Sequence, residues 1–110
     1  MVRVVDFKID EFVSVRLAAM SWAEAEKFQE ETAQLLANKE ATKSEDWMGL
    51  TQRTVIESIK KATTIRPIDG QPTNGDFTLE VLKRDFDLPA INAMYFKVLE
   101  ISGLKTEVKS

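Results

Sequence analysis

The chain has 110 residues, 44% of them hydrophobic and 30% charged, with a formal net charge of −3. This composition fits one globular domain, and the absence of cysteine and histidine excludes disulfide bonds, thiol nucleophiles and imidazole ligands. The chain also lacks the basic cluster of a nucleic-acid binder and the apolar run of roughly 20 residues that a membrane span needs. We therefore expect a cytoplasmic protein with no nucleic-acid or membrane partner and no cofactor.

Residues 1–20 carry the pattern of a β element. In "VSVRL", residues 13–17, apolar and polar side chains alternate, which is the periodicity of a strand with one buried face. An earlier apolar run, "VRVVDF", is followed by "KIDE", which could turn the chain although it contains neither glycine nor asparagine. The pattern predicts a hairpin, and the alternative is a single strand after a loose N-terminus.

Residues 21–63 are predicted to form two amphipathic helices. Ser21 and Glu24 have the spacing of a capping box at the start of the first helix, which is expected to end near Asn38. The side of this helix expected to face the core consists of Trp22, Ala25, Phe28, Thr32, Leu35 and Leu36. The opposite side is mostly acidic and is expected to face solvent.

The second helix is predicted to begin near Thr42 or Ser44 and to end near Thr63. The residues expected on its apolar face are Met48, Val55, Ile59 and Ala62, with Trp47 and Ile56 on the flanks. Leu50 falls away from the centre of this face, beside polar residues.

Residues 64–76, "TIRPIDGQPTNGD", contain two prolines, an Asp-Gly and an Asn-Gly, all of which favour turns. They predict an exposed loop and the most mobile internal segment of the chain. The oxygen-rich "DGQPTNGD" lacks the ligand order and the terminal glutamate of an EF-hand loop, so no metal site is predicted.

Residues 77–104 are predicted to form a short helix and a final helix. Asp76 or Thr78 is expected to cap the short helix, which runs through Phe86. In the final helix, proline stands in the first turn, where it sacrifices no helical hydrogen bond.

The final helix is expected to end in a Schellman motif. Gly103 occupies the left-handed position beyond the helix, and Leu99 and Leu104 occupy the two positions that touch in this motif. Residues 105–110, "KTEVKS", are predicted to be a mobile tail.

The fold class expected from these elements is mainly α (α+β). Residues 1–110 would form a single small helical domain of about four helices with a short N-terminal β-strand or hairpin. Apolar residues cover an unusually wide part of the final helix, so it is either central to the core or partly in contact with another protein. Leu50 and Phe96 lie off the apolar centres of their helices and are the candidate partner-contact residues. The alternative is that a neighbouring element covers each of them.

No catalytic residue is predicted. The adjacent carboxylates Glu30 and Glu31, like Glu45 and Asp46, point about 100° apart on a helix and do not converge on a substrate. No serine or lysine has the surroundings of a nucleophile, and no glycine-rich phosphate loop is present. We expect no enzyme activity.

Three short motifs resemble the small tail assembly chaperones of long-tailed bacteriophages. They are the Val15-Arg16 step, the helix start from Ser21 to Glu24, and the helix stop Ser102-Gly103-Leu104. The order of elements, from an N-terminal strand through helices and a glycine-bearing loop to a last helix, is also similar. Ala18 and Ala19 depart from the family pattern, in which a proline is common at this point.

The resemblance implies a non-enzymatic protein of the bacterial host cytoplasm. Such chaperones bind the tape-measure protein and recruit tail-tube subunits during tail morphogenesis, and they are absent from the finished particle. In many phages a frameshift near the end of the gene appends a second domain to some copies, and the 105–110 tail would be the point of departure. Homo-oligomers are also compatible with the wide apolar helix.

Two other functions are compatible with the sequence. One is a structural head-tail connector or tail-completion protein, which would remain in the virion. The other is a small nucleic-acid-binding regulator, for which the negative charge is unfavourable.

Overall fold

The computed structural model describes residues 2–11, 13–37, 44–65 and 77–104. Its elements, in chain order, are β1 (Val4–Lys8), β2 (Ser14–Ala18), α1 (Trp22–Ala37), α2 (Ser44–Ile65), α3 (Leu79–Asp85) and α4 (Leu88–Ile101). In these residues the fold is a two-stranded antiparallel hairpin and four helices, so the predicted mainly α (α+β) class is confirmed. Helix α2 includes positions 64 and 65 of the predicted loop. The rest of that loop, the 105–110 tail and Asp76 lie outside the described residues.

The hairpin pairs Val4 with Ala18 at one end and Lys8 with Ser14 at the other. The predicted alternation places Leu17 in the core, while the Arg16 side chain reaches across to Asp6 at 2.9 Å. The turn forms without glycine. The Asp10 carboxylate accepts a hydrogen bond from Val13 N–H at 2.9 Å, and an aspartate side chain can stabilise a turn in this way.

Backbone geometry confirms the predicted start of α1, the predicted cap of α3 at Thr78 and the predicted end of α4. Ser21 N–H donates to Glu24 Oε1 at 2.8 Å and Glu24 N–H donates to Ser21 Oγ at 3.3 Å, which completes the capping box of α1. Thr78 caps α3. At the end of α4, Gly103 has φ +78° and Leu104 N–H donates to Leu99 O at 2.9 Å, as the Schellman motif requires.

The main core lies where the hairpin, α2, α3 and α4 meet. Its buried members are Leu17, Val55, Ile59, Leu82, Ile91, Met94 and Val98. A second, smaller cluster joins α1 to α2 and α4, and its buried members are Phe28, Leu50 and Leu99. Helix α1 therefore contacts the domain through the smaller cluster, and Phe28 is its one buried residue among the described positions.

Two serine hydroxyls hold the chain between β2 and α1. Ala18 N–H donates to Ser58 Oγ at 2.8 Å, and the same hydroxyl donates to Ala18 O at 2.8 Å. Met20 N–H donates to Ser102 Oγ at 2.9 Å. Since Ser58 is only 5% exposed, its hydroxyl satisfies a donor and an acceptor that are shielded from water.

We expect Ser58→Ala to lower the free energy of unfolding by about 2 kcal/mol, because it leaves both backbone groups of Ala18 without a partner. Urea denaturation followed by circular dichroism measures this loss. Ser14→Ala, which removes an exposed hydroxyl from the same strand, is the control and should change stability by no more than about 0.5 kcal/mol. Equal effects of the two substitutions would contradict the assigned role of Ser58.

Candidate protein-binding surface

Helix α1 lies antiparallel to α2, as shown by the two ion pairs that join them. Glu24 pairs with Lys61 near the start of α1, and Arg53 Nη2 lies 3.1 Å from Glu31 Oε2 further along. Between these pairs lies an open cleft of about 370 Å³, with Ala18, Ser58 and other small residues among its lining. Two of the three acids that line the cleft pair with two of its three bases, and these ion pairs join one helix to the other.

The ionisation of Glu24 is tied to this contact. Partial burial raises the pKa of its carboxyl group. The hydrogen bonds from Lys61 and from Ser21 N–H lower this pKa, and together with the charge of Lys61 they outweigh the effect of burial. The net pKa of Glu24 therefore lies below its ordinary value of 4.5.

An aromatic row crosses from α1 to α4. The Tyr95 ring centroid lies 6.2 Å from that of Phe28 and 5.4 Å from that of Phe96, with tilted rings in both pairs. Burial raises the pKa of the Tyr95 hydroxyl above its ordinary value of 10.0. Phe96 ends the row on the surface and is 41% exposed.

The structure separates the two candidate contact residues. Phe96 is accessible, as a contact residue must be, and its role in binding a partner remains a prediction. Leu50 is only 3% exposed and lies against Phe28 and Leu99 within its own chain, so the expectation that it is a surface contact is wrong. It is buried because α2 is covered on two sides, by the main core and by α1, and Leu50 lies on the side facing α1.

The interpretation of Trp22 as a core residue is also wrong. Its side chain is 84% exposed, and Leu36, expected on the same buried side of α1, is 65% exposed. Only the side of α1 that carries Phe28 packs against the rest of the domain. The sequence did contain a sign of this exposure. Trp22 lies about 120° around the helix from Phe28, so the apolar side of α1 is too wide for both residues to face the same neighbour.

Within the described ranges, no group of three or more aspartate, glutamate, histidine or cysteine side chains is arranged to hold a metal ion. None of the described helices has the length and apolarity needed to cross a membrane. Among the described residues, the most exposed large hydrophobic side chains are Trp22, Leu36, Leu88 and Phe96.

Comparisons with known proteins do not assign this surface. No protein family model, no curated protein and no solved structure matches the chain.

The contrast between Leu50 and Phe96 gives a test. We expect Leu50→Ala to lower the free energy of unfolding by about 2–5 kcal/mol, because it leaves a cavity in the smaller cluster. Phe96→Ala should cost about 1 kcal/mol or less, because much of the ring is already in water. Urea denaturation of the two variants measures both losses, and a loss for Phe96→Ala as large as that for Leu50→Ala would place Phe96 in the core.

The contact between α1 and α2 should depend on pH. Because the folded-state pKa of Glu24 lies below 4.5, its pairing stabilises the protein above that pH and is lost as the pH falls through the folded-state pKa. Glu24→Gln preserves the capping pattern but removes the charge. At pH 7 it should cost no more than about 1 kcal/mol, since the pair is partly exposed.

The difference between wild type and Glu24→Gln should shrink as the pH falls below 4.5 and disappear below the folded-state pKa, measured by urea denaturation at a series of pH values. In a Lys61→Met background, Glu24→Gln should have a smaller effect that varies less with pH. A Glu24→Gln effect that does not change over this series would contradict the assignment.

Proposed function

We propose that this chain is a non-enzymatic tail assembly chaperone of a long-tailed bacteriophage. In this role it binds the tape-measure protein and tail-tube subunits in the cytoplasm of the bacterial host and does not remain in the finished particle. The observation that carries the proposal is the exposure of Trp22, at 84%, on a helix that already has a separate buried contact. An exposed tryptophan is costly to leave in water, and tryptophan is among the side chains enriched at the energetic centres of protein interfaces.

The placement of the motifs also supports this function. The helix start at Ser21 and the helix stop at Ser102 are distant in sequence but adjacent in space, because Met20 N–H donates to Ser102 Oγ. The Val15-Arg16 step lies in β2, the strand that leads into this junction. The short stretches that resemble the chaperone family therefore belong to one structural unit beside the exposed Trp22.

The surface of the domain is consistent with a binding role. Phe96 and Trp22 are exposed on two helices that touch through the Phe28–Tyr95 ring contact. Two ion pairs, Glu24 with Lys61 and Glu31 with Arg53, join α1 to α2 at the cleft between them. A surface that binds another protein is therefore better supported as the functional feature than the cleft.

The function is tested by coexpressing the tagged chain with the tape-measure protein of the genome that encodes it. We expect the tape-measure protein to stay soluble and to copurify with the chain, and we expect mass spectrometry to find no chain in purified virions. A stoichiometric amount of the chain in virions would identify a head-tail connector or tail-completion protein instead. Aggregation of the tape-measure protein despite coexpression, with no copurification, would also contradict the proposal.

A further inference from the structure

A row of exposed side chains lies along the outer side of α1. Trp22, Gln29, Ala33 and Leu36 fall within an arc of about 60° on the helix, and this set is called the α1 stripe. Its two large members, Trp22 and Leu36, are 84% and 65% exposed. They are 14 positions apart, which corresponds to about 21 Å along the helix. An extended stripe of this length matches one side of a helix of about four turns.

The charges beside the α1 stripe all have the same sign. Glu26 and Glu30 are exposed and border the stripe on the side away from the buried Phe28. In the described part of the chain, the ion pairs that bind α1 to α2 use Glu24 and Glu31, on the opposite side of the helix, and leave Glu26 and Glu30 to the solvent side.

A depression of about 260 Å³ adjoins the first residue of the stripe. Its lining includes Trp22, Glu26 and Gln29 from α1 and Ser102, the C-cap residue of α4. The carboxyl end of a helix carries partial negative charge and favours cations. The face of an exposed tryptophan also attracts cations. The two large apolar side chains of the stripe, its acidic border and this helix end therefore favour a partner that has an apolar side and also carries positive charge.

We propose that the α1 stripe is the docking site for a basic amphipathic helix of a partner protein. This inference rests on the proposed function and specifies the chemistry of the partner. The apolar side of the partner helix covers Trp22 and Leu36, and its lysine or arginine side chains lie against Glu26 and Glu30. One positive side chain occupies the depression between Trp22 and the end of α4.

The test uses a roughly 18-residue peptide of leucine and lysine, with leucines at helical i, i+3, i+4 and i+7 spacing. A second peptide has glutamate in place of every lysine. Binding is measured by fluorescence anisotropy of the labelled peptides at low and high salt. In a Trp47→Phe background Trp22 is the one tryptophan left, since the chain has two, and its emission reports directly on the stripe.

We expect the lysine peptide to bind, to shift the emission of Trp22 to shorter wavelength, and to bind more weakly in high salt. Trp22→Ala should weaken binding at least about tenfold, as removal of an interface anchor does. The double variant Glu26→Lys and Glu30→Lys should also weaken it about tenfold or more through like-charge repulsion. The matched controls on α3, Leu79→Ala for an exposed leucine and Glu80→Lys for a charge reversal, should leave the affinity within about twofold.

Equal binding of the lysine and glutamate peptides, or unchanged affinity in Trp22→Ala, would overturn the proposal. So would a dimer of the chain itself, seen by sedimentation and abolished by Trp22→Ala, because the occupant would then be a second copy. The same variants in the coexpression experiment distinguish this inference from the proposed function. If the tape-measure protein is captured equally by wild type and Trp22→Ala, the proposed function is supported and the proposed docking site is wrong. If the peptide results are as expected but no tape-measure protein is captured, the proposed docking site is supported and the proposed function is wrong.

Discussion

The hydroxyl group of Ser58 is the contact on which the arrangement of this domain depends. Ala18 is at the end of β2, where its backbone N–H and C=O point away from β1 and towards α2. An open strand edge buried against a helix is unfavourable, because the helix backbone has no free groups to pair with it. Ser58 supplies both the acceptor and the donor from a side chain, and this allows the hairpin to lie directly on α2.

The direction of α1 follows from this contact. Ser58 fixes Ala18, Ser102 fixes Met20, and the capping box starts the helix at the next residue. The entry to α1 is thus determined within residues 18–21 by α2, by α4 and by its own first turn. Antiparallel packing along α2 then brings Glu24 to Lys61 and Glu31 to Arg53. Little apolar contact is needed to orient α1, which explains how its remaining apolar residues stay available.

Features determined by neighbouring residues were predictable from the sequence. The capping box at Ser21 and the Schellman motif at Gly103 each depend on a few adjacent positions, and the structure contains both. The alternation in residues 13–17 is found only in part, since Leu17 is buried but Val13 is 40% exposed. The buried face of α4 was also predictable, because its apolar side chains are numerous enough to determine its orientation.

The environments of Leu50 and Trp22 were not predictable in the same way. A helical periodicity indicates one apolar direction, but α2 has neighbours on two sides, so Leu50 is buried although it lies off that direction. Helix α1 has the opposite property, since its apolar side is wider than the area its neighbours cover. Both outcomes depend on which elements meet in space. The serine contacts of the junction join residues 40 and 82 positions apart, and no local pattern marks such pairs.

The attachment of α1 through one buried side chain has a consequence for its dynamics. Most of the apolar contact in the domain excludes α1, so releasing this helix costs much less free energy than unfolding the whole chain. The backbone amide hydrogens of α1 would exchange with solvent when the helix detaches, while those of α2 and α4 would exchange only on global unfolding. A ligand on the outer side of the attached helix favours the attached form by mass action. Occupancy of one side of α1 would thereby be communicated to Phe28, Leu50 and Leu99 on the other side, without any change in the rest of the fold.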